Sequence, residues 1–237
     1  NGEKIPCGFF RNFYFKKLES VTGNKLIKVV LGQRRSGKSF VLRMIIKHLI
    51  DSGVPSTNIL YINKELDDLK GISDRDSFNE ALREYRNRLK PKGKVYVFLD
   101  EVQEIKEWEK AVNSLASDYV SEYEVFISGS NAHLLSGELA TYLSGRYVTV
   151  NVFPFSYSEF CESSGIEISK KSYLDYMKTG GIPEILFLKD GESQQNYMTA
   201  LKDSIILRDV VTRYGVRDPY LLDRMVSFIT DSVGSFI

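Results

Sequence analysis

Leu26-Ile27-Lys28-Val29-Val30-Leu31 runs straight into Gly32-Gln33-Arg34-Arg35-Ser36-Gly37-Lys38-Ser39, and Phe40 to Ile50 then carries apolar residues at helical spacing. An apolar run, a glycine-bounded loop and an amphipathic helix in this order predict a strand over 27–31 and a helix over about 39–52. Gly-x4-Gly-Lys-Ser between them is the spacing of a phosphate-binding loop. Glycines at its ends let backbone N–H groups curl around phosphate oxygens without Cβ clashes. The helix that follows adds its unpaired N–H groups and the positive end of its dipole. Lys38 is then expected to reach the β and γ phosphates, and the Ser39 hydroxyl to ligate Mg²⁺.

Outward from the loop, apolar runs and helical patterns alternate. Strands are expected at 59–62, 95–99, 124–127 and 146–152, and helices at 77–89, 108–119 and 133–143. Short continuous apolar strands separated by helices predict a five-stranded parallel α/β sheet flanked by helices. Near Val152-Phe153-Pro154 the strands stop, and helices are expected at 156–162, 170–177, 194–211 and 219–232. The expected division is a core over 1–154 and a smaller helical segment over 155–237. The lead-in, residues 1–25, is rich in aromatic residues and carries a short helix. It suits either a place beside the base of a nucleotide or packing under the first strand.

The second chemical landmark is Val95-Tyr-Val-Phe-Leu-Asp100-Glu101, about 60 residues after the loop with one strand between. A buried strand ending in two carboxylates sets them at the carboxyl edge of the sheet, where ligands bind in open α/β folds. Asp100 is the expected Mg²⁺ partner. Glu101 is the expected base that orients and deprotonates water. Phe126-Ile-Ser128-Gly129-Ser130-Asn131 ends a further strand in small polar residues. Asn131, with Ser130 as second choice, can hold the attacking water and sense the γ-phosphate. A helix N-cap needs the same residue types. Arg146, in Leu143-Ser-Gly145-Arg146, is a candidate arginine finger acting in its own subunit or a neighbour's; a purely structural arginine is the alternative. Arg34 and Arg35 suit phosphate or inter-subunit contact, or an ion pair.

These residues together resemble the AAA+-type ATPases of bacteria and archaea that usually carry a C-terminal domain of unknown function, related to signalling and origin-recognition-like ATPases. The resemblance rests on Gly32-x-Arg-Arg-x-Gly-Lys-Ser39, Leu99-Asp-Glu-Val-Gln103, Trp108, Ser128-Gly-Ser130, Leu135-Ser-Gly-Glu-Leu-Ala140 and Leu143-Ser-Gly-Arg146. It continues through Phe153-Pro154-Phe155-Ser156 with Glu159-Phe160, Gly180-Gly-Ile-Pro-Glu184 and Asp203 to Asp209. It implies a P-loop NTPase core, a helical lid, a winged-helix module that the chain reaches at most in part, and a further domain. It also implies ATP and Mg²⁺ as ligands and Gly181-Ile182-Pro183 as a lid motif whose proline packs near adenine. A helix stop followed by a helix start is the plain reading of the same residues. The expected nucleotide-binding set is Gly32, Arg34, Arg35, Ser36, Gly37, Lys38, Ser39, Phe40 and Pro183. The catalytic set is Lys38, Glu101, Asn131 and Arg146, and the metal set Ser39 and Asp100. Arg208 is a weaker candidate for a second sensor.

Composition narrows the rest. The 237 residues are 43% hydrophobic and 27% charged, with a net charge of +1, so no global field draws the chain to nucleic acid or anionic membrane. Cys7 and Cys161 form no metal or disulfide pattern, and His48 and His133 are isolated, which suits a reducing cytoplasm. No apolar run approaches the ~20 residues of a membrane span. The basic run from Arg83 to Lys94 is diluted by Glu84 and reads as a solvated helix face. The leading expectation is ATP hydrolysis to ADP and phosphate. The rival is a slow ATP/ADP-gated switch that acts on DNA or protein through domains beyond this chain. Small-molecule kinase chemistry fits less well, because Asp100 and Glu101 are adjacent rather than set around an acceptor pocket. The expected partners are ATP or ADP, and further copies of the chain if the finger acts in trans.

Overall fold

The computed structural model describes residues 5–130, 143, 145–212 and 214–233. The expected helix over 133–143 lies almost wholly outside them, as do Asn131 and the Leu135–Ala140 motif.

Five strands are formed: β1 (Ile27–Gly32), β2 (Ile59–Asn63), β3 (Val95–Asp100), β4 (Tyr123–Ser130) and β5 (Tyr147–Asn151). They build one sheet in the order β2-β3-β4-β1-β5, with every neighbouring pair parallel. Helices α1 (Asn12–Glu19), α2 (Lys38–Asp51), α3 (Arg75–Leu89) and α4 (Trp108–Ser117) flank it. The sequence reading found each strand to within a few residues, because buried parallel strands are continuous apolar runs and stand out against the loops.

Alternation along the strands sorts the core into two layers. Ile27, Val29 and Leu31 of β1 join Val97, Leu99, Val125 and Ile127 on one face, covered by α3 and α4 through Phe78, Leu82, Trp108 and Val112. Val30, Phe98, Phe126 and Val150 face the other way, against Tyr14 and Leu18 of α1 and Val41, Leu42 and Ile45 of α2. Phe98 and Phe126 stack across β3 and β4 with centroids 4.5 Å apart. The lead-in therefore does pack under the sheet.

Lys28 interrupts the apolar run of β1 and is fully buried. Its Nζ meets Glu124 Oε1 of β4 at 2.6 Å and donates to Asn24 O at 2.8 Å. Burial pushes this ammonium below its usual range, against the pull of Glu124. The pair sits on the α2 face, near the amino ends of the strands.

The chain divides into two compact units, Asn1–Pro183 and Glu184–Ile237. After β5 the first unit adds α5 (Tyr157–Ser164) and α6 (Lys170–Thr179). Ser156 and Glu159 form a reciprocal cap at the start of α5. The second unit holds α7 (Gly191–Ser204), a π-helical continuation over Ile205–Thr212, and α8 (Pro219–Asp231). Within it Lys202 Nζ donates to Asp223 Oδ1 at 2.9 Å, tying α7 to α8. Among the described residues no helix is long and apolar enough to cross a membrane.

Candidate phosphate-binding site

Because every strand runs the same way, β1, β4, β3 and β2 all end at one edge of the sheet. Gly32 lies beside Ser130 in register, and Asn63 beside Asp100. The strand β4 thus lies between the loop-bearing β1 and the Asp-Glu-bearing β3.

The loop owes its shape to its two glycines. A Cβ on Gly32 would come within 2.3 Å of Val152 O and 2.6 Å of Ser36 Oγ, so only hydrogen fits there. Gly37 caps α2 at φ +94°, a left-handed conformation natural to glycine. With no side chain at the cap, nothing from it covers the first N–H groups of α2, those of Lys38, Ser39 and Phe40. Arg35 is also left-handed, at φ +61°.

Lys38 is almost fully buried at the start of α2. Its Nζ donates to Gln33 O at 3.2 Å and stands 3.4 Å from Glu101 Oε1. Residues 63 positions apart thereby meet at the sheet edge, as the two motifs predict. Asp100 is fully buried, its Oδ1 accepting from Ser128 Oγ and its Oδ2 from Tyr61 OH at 2.8 Å. Burial and the Asp100 charge push the Tyr61 phenol far above its usual range, so it stays a donor. The Ser128 hydroxyl also accepts from Glu101 N at 3.2 Å, linking the two acidic positions. Glu101 takes φ +56°, and Gln103 Nε2 donates to its Oε2 at 2.5 Å.

Two hydroxyls of the site, Ser36 Oγ and Ser130 Oγ, are buried without a protein partner among the described residues. Buried polar atoms are rarely left so. Both flank Gly32, and a phosphate oxygen entering the loop would satisfy them. The donor set therefore fits a nucleotide phosphate, and Asp100 with Ser39 fits a divalent ion on it.

Three residues to which the sequence reading gave no site role also stand here. Glu65, just beyond β2, feels Asp100, Glu101, Lys38 and Arg34. Burial first, then the two carboxylates, push its carboxyl up against the opposing cations. Gln103 is the second. The third is Arg11, nearly fully buried just before α1. Its guanidinium holds Glu159 by two bonds of 2.8 Å and donates to Ser36 O of the loop at 3.0 Å and Phe153 O at 2.9 Å. It also lies over Tyr14 and Phe155, 4.4 and 5.0 Å from their ring centroids. The lead-in passes Phe40 as well, where a Cβ on Gly8 would lie 3.0 Å from the ring.

Gly181 packs so closely on Phe155 that a Cβ would come within 2.1 Å of Phe155 O, and Phe155 N donates to Gly181 O at 2.6 Å. Through Phe155 and Arg11, the stretch leading to Pro183 is joined to the loop. Arg146 is not. Its backbone O accepts from Ile27 N, and its Nη1 donates to Ser117 Oγ at 2.8 Å. It precedes β5, so it lies at the amino edge of the sheet, about 17 Å of strand away from the loop. The structure does not bring Arg146 to the loop of its own subunit. Asn131 and the side chain of Arg208 lie outside the described residues.

Residues 24–161 match the family described as AAA domain. An uncharacterized protein of Haemophilus influenzae is 35% identical over 231 residues, covering 96% of this chain and 56% of that protein. One of Methanocaldococcus jannaschii is 34% identical over 204 residues, covering 81% of this chain and 43% of its own length. The chain thus spans about half the length of these relatives. In fold it is similar to a Walker-type ATPase of Pyrococcus abyssi, with a TM-score of 0.59 at 18% identity, covering 87% of this chain and 77% of the other. On the matched sequence, and with the sheet order and loop to go with it, the chain belongs to the AAA domain family.

Proposed function

We propose that this chain binds ATP with Mg²⁺ and hydrolyses it to ADP and phosphate. The observation that carries the reading is the meeting of Lys38 and Glu101 beside the uncapped start of α2. A cation for the phosphates and a carboxylate for water then face one point. Gly32, Ser36, Gly37 and Lys38 wrap the phosphates, with Arg34, Arg35 and Phe40 at the rim of the loop. Ser39 and Asp100 would hold Mg²⁺, which would supply positive charge to neutralise the phosphates. Glu101 takes the proton of the attacking water. Ser130, and Asn131 beyond it, would sense the γ-phosphate.

The segment from 155 onward acts as the lid in this reading, with Pro183 near the base. Arg11 supports the coupling: one guanidinium touches the loop at Ser36 and the cap of α5 at Glu159. A finger from Arg146 is retained only in trans, reaching a neighbouring subunit of an oligomer. A winged-helix module and a C-terminal domain of unknown function would lie beyond this chain, in keeping with relatives of which it spans about half, and a relation to origin-recognition-like ATPases is part of the same reading.

The test is ATP turnover by the full-length protein and its Glu101→Gln form. Glu101→Gln should bind ATP as tightly as wild type and turn over about 10²–10⁴-fold more slowly. Equal turnover removes Glu101 as the base. A second reading, a slow nucleotide-gated switch on DNA or protein, is favoured by the relatives' extra length. Fast multiple turnover would argue against it.

A further inference from the structure

The two oxygens of Glu101 are held from different sides. Oε1 stands 3.4 Å from Lys38 Nζ, the group that faces incoming phosphate. Oε2 accepts from Gln103 Nε2 at 2.5 Å. Gln103 lies in the short 3-10 turn Val102–Glu104 that follows β3, two residues from its partner. Its other amide atom, Oε1, is buried and has no protein partner among the described residues. The backbone beneath is fixed as well: Glu101 sits at φ +56°, with its N–H bonded to Ser128 Oγ.

We infer that Gln103 is the positioning residue for the water-activating carboxylate. The inference rests on the reading of Glu101 as base. When ATP enters, Lys38 turns its charge to phosphate oxygens and its hold on Glu101 Oε1 is released. Among the described residues, Gln103 is then the side chain that still fixes the carboxylate. Its N–H occupies Oε2 and leaves Oε1, the oxygen on the phosphate side, to receive the proton of water. A carboxylate free to rotate about its Cγ–Cδ bond would spend most of its time misaimed. Gln103 itself takes no proton and touches no reacting atom. Its spare Oε1 can accept a hydrogen from a site water, which would give that buried atom the partner it lacks.

The experiment is a mutant cycle on the full-length protein: Glu101→Gln, Gln103→Met and the double variant. It reads single-turnover hydrolysis of ATP, the Kd for ATP, and melting temperature. Methionine keeps the side chain's length and removes both polar atoms. The expected result is a rate about 10–100-fold lower in Gln103→Met, the worth of one hydrogen bond to a charged group, with Kd within twofold. The double variant should be no slower than Glu101→Gln alone, since Gln103 acts only through Glu101. Should Gln103→Met fold poorly, Gln103→Glu fills the same space and replaces the donor with an acceptor; it should be as slow or slower. Rates within twofold of wild type in the folded variants overturn the assignment. So do effects that multiply in the double variant, or a Kd that weakens in step with melting temperature. If Glu101→Gln alone hydrolyses at the wild-type rate, the base reading has failed and this inference with it, an outcome visible before Gln103 is touched.

Discussion

Replacing Arg11 with methionine should unlink the lead-in, the loop and α5 in one step. Arg11 is about 2% exposed, and each oxygen of Glu159 takes one of its N–H groups at 2.8 Å. Removing one partner of a buried ion pair costs about 3–5 kcal/mol, because the other charge is left uncompensated. Glu159 keeps 18% of its side-chain surface in contact with solvent and retains its capping bonds to Ser156, which favours the lower end. A loss of ~3 kcal/mol corresponds to a fall of about 6–12 °C in melting temperature for a domain of this size. The carbonyls of Ser36, Phe153 and Pro154 lose their donor at the same time. ATP affinity should therefore fall along with stability.

The effect has a pH signature. Burial pushes the Glu159 carboxyl up, but bonds from Arg11 and Ser156 outweigh it and hold it below the usual range. A depressed carboxyl stabilises the folded state above its unfolded pKa, about 4.3, and the stabilisation is lost as pH falls through the folded value. The gap between wild type and Arg11→Met should thus be full at pH 7 and narrow below about pH 4. Urea unfolding across that range measures it. A gap under ~1 kcal/mol at pH 7, or one that stays constant down to pH 3.5, would refute the pairing as the source.

Two further outcomes follow from the loop. Gly32→Ala forces a Cβ to within 2.3 Å of Val152 O, so β1 and the segment after β5 must part. The expected loss is about 1–3 kcal/mol, read by chemical denaturation without nucleotide; an unchanged midpoint would contradict the packing. Ser130→Ala removes a buried hydroxyl that has no protein partner among the described residues, so unliganded stability should hold or rise slightly. Its melting temperature should then gain less than wild type from added ATP, and an equal gain would mean that Ser130 does not meet the phosphate.

The site was legible where its parts are near in sequence or at strand ends. Gly32 to Ser39 is continuous, and its glycines are demanded by local backbone geometry. Asp100 and Glu101 announced themselves because a buried strand is apolar until it reaches the ligand edge. For Arg146 the sequence left open whose phosphate it could reach, because a loop position after a helix does not tell which edge of the sheet it joins. In a parallel sheet a residue that precedes a strand lies at the edge opposite one that follows a strand. Lys28 was invisible as a buried charge because its partner, Glu124, belongs to a strand 96 positions on.

By itself the sequence determined the layer architecture, the phosphate loop and the acidic pair, since strand periodicity and turn chemistry are local properties. Only the tertiary structure decided which groups act on that loop. Arg11 and Glu159, 148 positions apart, meet because α1 and α5 converge beside it. Gln103 turns its amide onto Glu101 because a left-handed residue reverses the chain at the end of β3. The first contact depends on the packing of distant elements and the second on a left-handed backbone at Glu101, and neither is recorded in hydrophobic periodicity.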